Sequence, residues 1–363
     1  MIPLRLTAEA PHATAPFVVR VGEASSGKDV TRAPACVVTQ GESGIDLMTP
    51  AGPVRLTGIE ASDCAGDVLL VVPERRIAHR LIRAASPHNT FLVTEQCDQA
   101  CVMCSQPPKK HHTDLYTFFE HAALLAPPGM VIGISGGEPT LHKDALLTFL
   151  TRTLRRRPDL SFHVLTNGQH FEAKDREALS CPTFPRVLWG IPVYADTPAL
   201  HDEIVRKEGA FARLLQSFSV LARAGAAIEL RTVILRQNAT NLPALAAFIA
   251  THLPFVARWA IMQLENIGFA RQNWREIFYD HSTAFGPIAG AIDIATARGL
   301  DVRLYNFPLC TVPGPYQMRA DCSISDWKRR YLDVCRACTA RERCTGFFEW
   351  YPETHGFTNL DAL

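Results

Sequence analysis

Residues 95–112 read EQCDQACVMCSQPPKKHH and put three cysteines, Cys97, Cys101 and Cys104, into eight positions. A β-like run, TFLVT (90–94), precedes this loop, and a second run, VIGIS (131–135), leads directly into GGEP at 136–139. Two unusual loops thus follow two successive strands. Where strands alternate with helices, functional residues collect in the loops after the strand C-termini. The placement of these two loops therefore decides how the rest of the chain is read.

Working outward, further strand-like runs are SFHVLT (161–166), VLWGIPVY (187–194), IELRTVIL (228–235) and ARWAIMQL (257–264). Helical patterns such as DLYTFFEHAALLA, KDALLTFLTRTLRRR, GAFARLLQSFSVLARAG and NLPALAAFIATHL separate them. The alternation argues for an α/β fold with a parallel sheet and covering helices. Six or so units predict an open, partial (β/α)6 barrel of TIM type over residues 87–300. Residues 1–86 read differently. FVVRV, ACVVTQ, DLMTP, VRLTGI and DVLLVV are short β-like runs separated by Gly, Pro, Ser and Asp, which predicts a small β-rich module of unknown role. ERRIAHRLIRAAS (74–86) has helical spacing, with Ile77, Leu81 and Ile82 on one face, and is expected to be a joining helix.

Composition sets outer limits. The chain has 363 residues, 47% hydrophobic and 20% charged, which is globular. Its 37 basic and 36 acidic residues leave a net charge of +1, so no overall field favours nucleic acid or an anionic membrane. No apolar run approaches the ~18 residues of a spanning helix, and the N-terminus lacks a signal-peptide pattern, so a cytoplasmic protein is expected. Eleven cysteines in a reducing compartment point to metal or redox chemistry rather than disulfides. Cys36, Cys64 and Cys181 are isolated and read as small buried hydrophobes.

Three thiolates in the C-x3-C-x2-C loop admit two readings. One is a structural zinc completed by His111 or His112. The other is a cubane iron–sulfur cluster, in which three cysteines leave one of four irons open to a substrate or cofactor.

CDQACVMC after the first strand and ISGGEP after the second together resemble the radical S-adenosylmethionine (SAM) superfamily over about residues 88–270. That resemblance implies that Cys97, Cys101 and Cys104 bind a 4Fe–4S cluster whose open iron chelates SAM. It implies that Gly136, Gly137, Glu138 and Pro139 meet the SAM amino group. Glycine permits close backbone approach, and Glu138 can offset the ammonium charge. Met103 would pack near the adenine, and Arg231 in ELRTV fits a position that contacts the SAM carboxylate, although an ordinary strand ion pair explains it equally. Pro192 and Tyr194 stand where relatives often carry Ser and an acidic residue, so Thr166 and Asn167 are the candidates for ribose recognition. His201 reads as a helix or loop histidine.

The tail carries a second group. Cys335, Cys338 and Cys344 follow C-x2-C-x5-C, with Cys310 upstream and Cys322 left over. Four cysteines suit zinc. The pattern also resembles the auxiliary-cluster extension of peptide-modifying radical SAM enzymes, which implies a second, auxiliary 4Fe–4S cluster held by Cys310, Cys335, Cys338 and Cys344 in an extension spanning 301–363. Cys322 is then a candidate hydrogen donor, a further ligand or a bystander. CVMCSQPPKK, FPLCTVPGPY, SISDWK and CTGFF resemble the C-type radical SAM maturases of the His-Xaa-Ser system. The implied partners are a ribosomally made precursor peptide, a paired radical SAM maturase and a flavodoxin- or ferredoxin-type electron donor. Rival readings are action on a small molecule or nucleotide, peptide epimerisation, and a non-catalytic scaffold for a leader peptide. Lys109, Lys110, His111 and His112 read as a solvated basic loop.

Overall fold

The structure is a computed structural model that describes residues 2–22, 35–41 and 44–363. The chain divides into two compact units. One comprises Met1–Val93, Thr113–Ile134 and Asp144–His163, and the other Thr94–His112, Ser135–Lys143 and Val164–Leu363.

In the first unit, seven strands close into a barrel: β1 (Arg5–Glu9), β2 (Phe17–Gly22), β3 (Ala35–Gly41), β4 (Gly44–Thr49), β5 (Gly52–Thr57), β6 (Val68–Val72) and β7 (Ile77–Ile82). Their order is β1-β5-β4-β3-β2-β6-β7, and β7 pairs back onto β1. Alternation drives closure. Leu6 and Ala8, Val19 and Val21, Ile45 and Leu47, and Val54 and Leu56 point into one core. A closed barrel leaves no unpaired strand edge. A single turn of helix, α1 (Ala61–Cys64), precedes β6.

Segment 74–86 is a correction: its centre is strand β7, not a helix. The chain leaves a short turn at Pro73–Arg75 through Arg76, which has a left-handed φ of 53°. The helical reading placed Ile77, Leu81 and Ile82 on one face and took no account of Arg80. Its side chain is buried, with Nε 2.7 Å from Asp67 and the guanidinium bonded to the carbonyls of Asp63 and Pro3. A paired arginine therefore occupies an inward strand position, and barrel closure overrides local periodicity. Of the isolated cysteines, Cys64 is fully buried and Cys181 only half-buried, with Sγ 3.4 Å from Thr183 Oγ1. The Cys36 side chain lies outside the described residues.

A second sheet has eight strands that follow chain order: β8 (Asn89–Thr94), β9 (Val131–Gly136), β10 (Ser161–Leu165), β11 (Val187–Pro192), β12 (Ala227–Val233), β13 (Arg258–Met262), β14 (Val302–Tyr305) and β15 (Ala320–Asp321). Strands β11 to β15 are parallel neighbours. Between the strands run α2 (Tyr116–Leu125), α3 (Lys143–Arg156), α4 (Arg176–Leu179), α5 (Pro198–Val205), α6 (Ala210–Arg223), α7 (Leu242–His252), α8 (Phe269–Ile277) and α9 (Gly286–Ala297). The α/β class and the six strand–helix repeats from β8 to β13 are as expected. After β14 the chain forms short turns and one small hairpin of β16 (Arg329–Arg330) and β17 (Phe347–Phe348). Among the described residues, no helix is long and apolar enough to cross a membrane.

Candidate active site

The loop after β8 and the loop after β9 lock together through backbone. The Thr94 carbonyl accepts the Gly137 N–H at 2.9 Å, and the Gln96 carbonyl accepts the Glu138 N–H at 2.7 Å. A Cβ on Gly136 would stand 2.3 Å from Thr94 O, and one on Gly137 2.2 Å from Gln96 O and 2.9 Å from Cys97 Cβ. No side chain fits there. The glycines, expected to open backbone to a ligand ammonium, are thus already required by packing against the base of the cysteine loop.

Glu138 is completely buried. Its carboxylate accepts from Thr140 N at 2.7 Å, from Thr166 Oγ1 at 2.6 Å, and from the Thr140 hydroxyl and Asn167 N. Burial raises its carboxyl above the ordinary range, against these hydrogen bonds, which favour the charged form. Pro139 is buried at the start of the turn that Glu138 caps. Thr166 and Asn167, expected near a ribose, here tie the end of β10 to Glu138.

Asn167 also reaches the cysteine loop. Its Nδ2 donates to Asp98 Oδ1 at 2.8 Å. The other Asp98 oxygen lies 3.1 Å from His170 Nε2 and pairs with Lys207. Burial opposes the charge, but the His170 and Lys207 contacts hold this carboxyl well below the usual carboxylate range. Asp98 follows Cys97 directly and carries the first anchor of the cysteine loop. The sequence reading passed over it, and the only signal available was an acidic residue between two cysteines.

The rest of the loop is fixed from two sides. Ala100 N and Val102 N donate to the Val205 and Ile204 carbonyls at the end of α5, at 3.3 and 2.9 Å. Asn273 on α8 donates to Val102 O at 2.8 Å, and Phe269 N to Cys104 O at 2.8 Å. Gly268, at φ 61°, lets that contact form, since a Cβ there would meet Cys104 O at 2.4 Å. Burial pushes the Cys97 thiol up to about 12, with Glu138, Asp98 and Cys104 adding to it. Burial also raises Cys101, reinforced by Cys104 and Cys97, and raises Cys104. Burial thus favours the neutral form of all three thiols, which metal binding would have to deprotonate. His112 is engaged elsewhere: its Nδ1 lies 3.1 Å from Thr94 Oγ1, and its ring stacks on His142 at 3.7 Å. His111 is exposed. Lys109 pairs with Glu95 at 2.6 Å. Among the described residues, no three His, Cys, Asp or Glu side chains converge as ligands of one ion.

Met103 and Tyr194 are buried in one apolar cluster with Leu235 and Leu264. Burial first, and then the neighbouring Cys101 and Cys104, raise the Tyr194 hydroxyl, and Cys101 packs against the same cluster. His201 is buried and accepts the Tyr194 N–H at 3.3 Å, with burial lowering it to about 4. Arg231 pairs with buried Glu229, and its guanidinium lies 5.8 Å from the Tyr305 ring centre.

In the tail, Cys310, Cys335, Cys338 and Cys344 line a single pocket with Leu309 and Tyr331. Two backbone N–H groups, from Leu309 and Gly346, point at Cys344 Sγ at 3.3 and 3.4 Å. Such donors are the second-sphere contacts that metal-bound thiolates use. Burial, then Cys344 and Cys335, push the Cys310 thiol up to about 12. Cys322 stays apart. It is exposed, with Sγ 2.9 Å from Arg329 Nη1 and 3.6 Å from the Cys344 carbonyl. Lys328 pairs with Glu265, just after β13, at 3.2 Å. The cluster around Met103 also includes Leu332, Cys335 and Phe347, so the tail and the cysteine loop share apolar packing.

No family model matches the chain. It is similar to the PqqA peptide cyclase of Granulibacter bethesdensis. The two are 22% identical over 265 residues, 70% of this chain and 68% of that protein. Among solved structures it is similar to SuiB of Streptococcus suis, with a TM-score of 0.48 at 15% identity over 59% of this chain and 48% of that one. It is similar also to anSMEcpe with bound AdoMet and Cp18Cys peptide, with a TM-score of 0.48 at 12% identity over 59% and 62%. The chain therefore spans about half the length of SuiB.

Proposed function

We propose that the protein is a radical SAM enzyme that modifies a ribosomally made precursor peptide. The observation that carries this reading is the three-cysteine loop, held by backbone hydrogen bonds to the GGEP loop and the end of α5 and by bonds from α8. Cys97, Cys101 and Cys104 would hold a 4Fe–4S cluster. Gly136, Gly137, Glu138, Pro139, Met103, Thr166, Asn167 and Arg231 would surround SAM. With both groups bound, the chemistry supplied is one-electron cleavage of SAM to methionine and a 5′-deoxyadenosyl radical that takes hydrogen from the peptide. The chain's own part is to hold and to exclude. Burial around Met103 and Tyr194 keeps water from the loop. Arg231 offers a cation to a carboxylate, at the expense of its pair with Glu229. Cys310, Cys335, Cys338 and Cys344 would close a second cluster, with full cysteine ligation suiting electron transfer rather than substrate binding.

Within this reading, residues 1–86, 87–300 and 301–363 are the accessory barrel, the SAM barrel and the auxiliary extension. The resemblance to the His-Xaa-Ser maturases names the peptide class, a paired maturase as partner, and a flavodoxin or ferredoxin as electron source. The similarity to a peptide cyclase supports the peptide as substrate. The test is anaerobic reconstitution with SAM and dithionite. Formation of 5′-deoxyadenosine, with a two-hydrogen mass loss in a co-expressed His-Xaa-Ser peptide, is expected. Intact SAM in protein with a full iron complement would reject the reading. A second reading is epimerisation, favoured by the free, exposed thiol of Cys322. One solvent deuterium retained in a product of unchanged chemical formula would mark it.

A further inference from the structure

The two cysteine groups face opposite kinds of backbone atom. In the tail, two N–H groups point at Cys344 Sγ. In the first loop, Cys104 Sγ lies 3.0 Å from the carbonyl oxygen of Gln106, two residues further on. A metal-bound thiolate has no hydrogen to give. It is stabilised by donors and repelled by a carbonyl lone pair at that distance. Ligation at Cys104 therefore requires the chain at Gln106 to move.

Few contacts hold that chain. Pro107 and Pro108 have no N–H and a fixed φ, so the stretch after Cys104 is stiff and offers no donor there for a backbone ladder. It is fastened beyond the prolines. Lys109 N donates to Glu95 O at 2.8 Å, and Gln96 Nε2 donates to Lys110 O at 2.7 Å. The other end of that amide, Gln96 Oε1, lies 3.0 Å from His142 Nε2 in the turn after the GGEP glycines. The Gln96 backbone is committed as well, its carbonyl to Glu138 N and its N–H to Thr94 Oγ1 at 3.2 Å. One residue, adjacent to Cys97, thus joins the cysteine loop, the GGEP turn and the segment 105–112.

Building on the cluster reading above, we infer that residues 105–112 are a strap over Cys104, that Gln96 is the positioning residue that clasps it, and that the clasp must release for a metal to reach or leave Cys104. The Gln96–Lys110 bond is exposed, so water replaces it on release and opening is not held back by a buried orphan group.

The test starts from protein without iron or SAM, so it stands apart from the proposed radical reaction. Lys109 amide exchange is followed by NMR in 15N-lysine-labelled protein, and Cys104 alkylation by iodoacetamide is followed by peptide mass spectrometry, which resolves each cysteine. Gln96→Leu removes the clasp. Gln96→Glu, which sets a carboxylate against the Lys110 carbonyl, stands in if the leucine variant does not fold. Both rates should rise by the same factor, about two- to tenfold for one exposed hydrogen bond, with Cys181 alkylation unchanged. Saturating Cd2+ should speed Lys109 exchange in the wild type and leave it unaltered in Cys104→Ser. Unchanged rates in the Gln96 variant, a rise in one rate without the other, or Cd2+ bound at Cys104 with Lys109 exchange unaltered would overturn the inference. Cd2+ that never binds the loop would reject the cluster reading itself, and the inference with it.

Discussion

Replacing Asp98 by asparagine isolates what the cysteine-loop anchor does. Asparagine keeps Oδ1, so the 2.8 Å bond from Asn167 survives. The amide group then faces Lys207 and His170, donor against donor, where a carboxylate oxygen stood 3.1 Å from His170. The charge-assisted bond to Lys207 is lost outright. Hydrogen bonds to charged groups contribute about 1.5–3 kcal/mol. The pair is only about three-quarters buried, with side-chain exposures of 25% and 23%, so the 3–5 kcal/mol typical of fully buried broken pairs is too high. A loss of about 2–3 kcal/mol follows. At about 2.1 cal/mol/K per residue, a chain of this length unfolds with an entropy near 0.8 kcal/mol/K, so Tm should fall by about 3–4 °C.

The pH dependence has a definite sign. Folding depresses the Asp98 pKa. Its contribution is then fully present above the unfolded carboxylate value of about 3.9 and is lost as pH falls below it. Calorimetry at pH 7 should show the full gap between wild type and Asp98→Asn, and the gap should close on acidification below pH ~4. Because Asp98 adjoins Cys97, the variant should also lose reconstituted iron faster to a chelator. A variant with unchanged Tm and unchanged iron retention at pH 7 would refute the anchoring role.

Other outcomes follow from the same geometry. Reconstituted protein should hold about eight irons by colorimetric assay, and replacing Cys97, Cys101 and Cys104 together by Ala should leave about four. Gly137→Ala places a Cβ 2.2 Å from Gln96 O and should displace the cysteine loop, read as loss of the first cluster with the second retained in EPR spectra. Cys322→Ser should keep full iron content, whereas Cys344→Ser should lose the tail cluster, because Cys344, unlike Cys322, lines the four-cysteine pocket. Glu138→Ala should weaken SAM binding tenfold or more and also loosen the loop, since four donors lose one buried acceptor.

The strand–helix rhythm was legible because each β-strand of the second sheet is a short apolar run bounded by turn residues, and its helices are long enough to show their period. Both cysteine groups stand out by their spacing, while which cysteines act as ligands came from the resemblance. Two things were not legible. Segment 74–86 imitates a helix, since a one-dimensional pattern cannot show that Arg80 is paired inside a barrel. The Asp98 network joins residues 98, 167, 170 and 207, and only folding brings such distant positions together.

The two cysteine groups are linked by packing as well as by sequence type. Cys335 is buried in the apolar cluster that holds Val102 and Met103 of the first loop, with Cys101 packed against it. After β14 the tail has little regular structure, 3-10 turns with the two-residue strands β15, β16 and β17, so few backbone ladders fix it. Its order must come from side-chain packing, from latches such as Lys328 with Glu265, and from whatever the four cysteines bind. Cys335→Ala therefore tests two links at once. A redox role for the tail predicts that 5′-deoxyadenosine still forms while the peptide product is lost. A purely structural role predicts that SAM binding falls together with the tail, because the apolar wall over Met103 opens. Circular dichroism and SAM affinity measured on the same sample separate the two, and a folded, SAM-binding Cys335→Ala protein that still makes full product would eliminate the redox role.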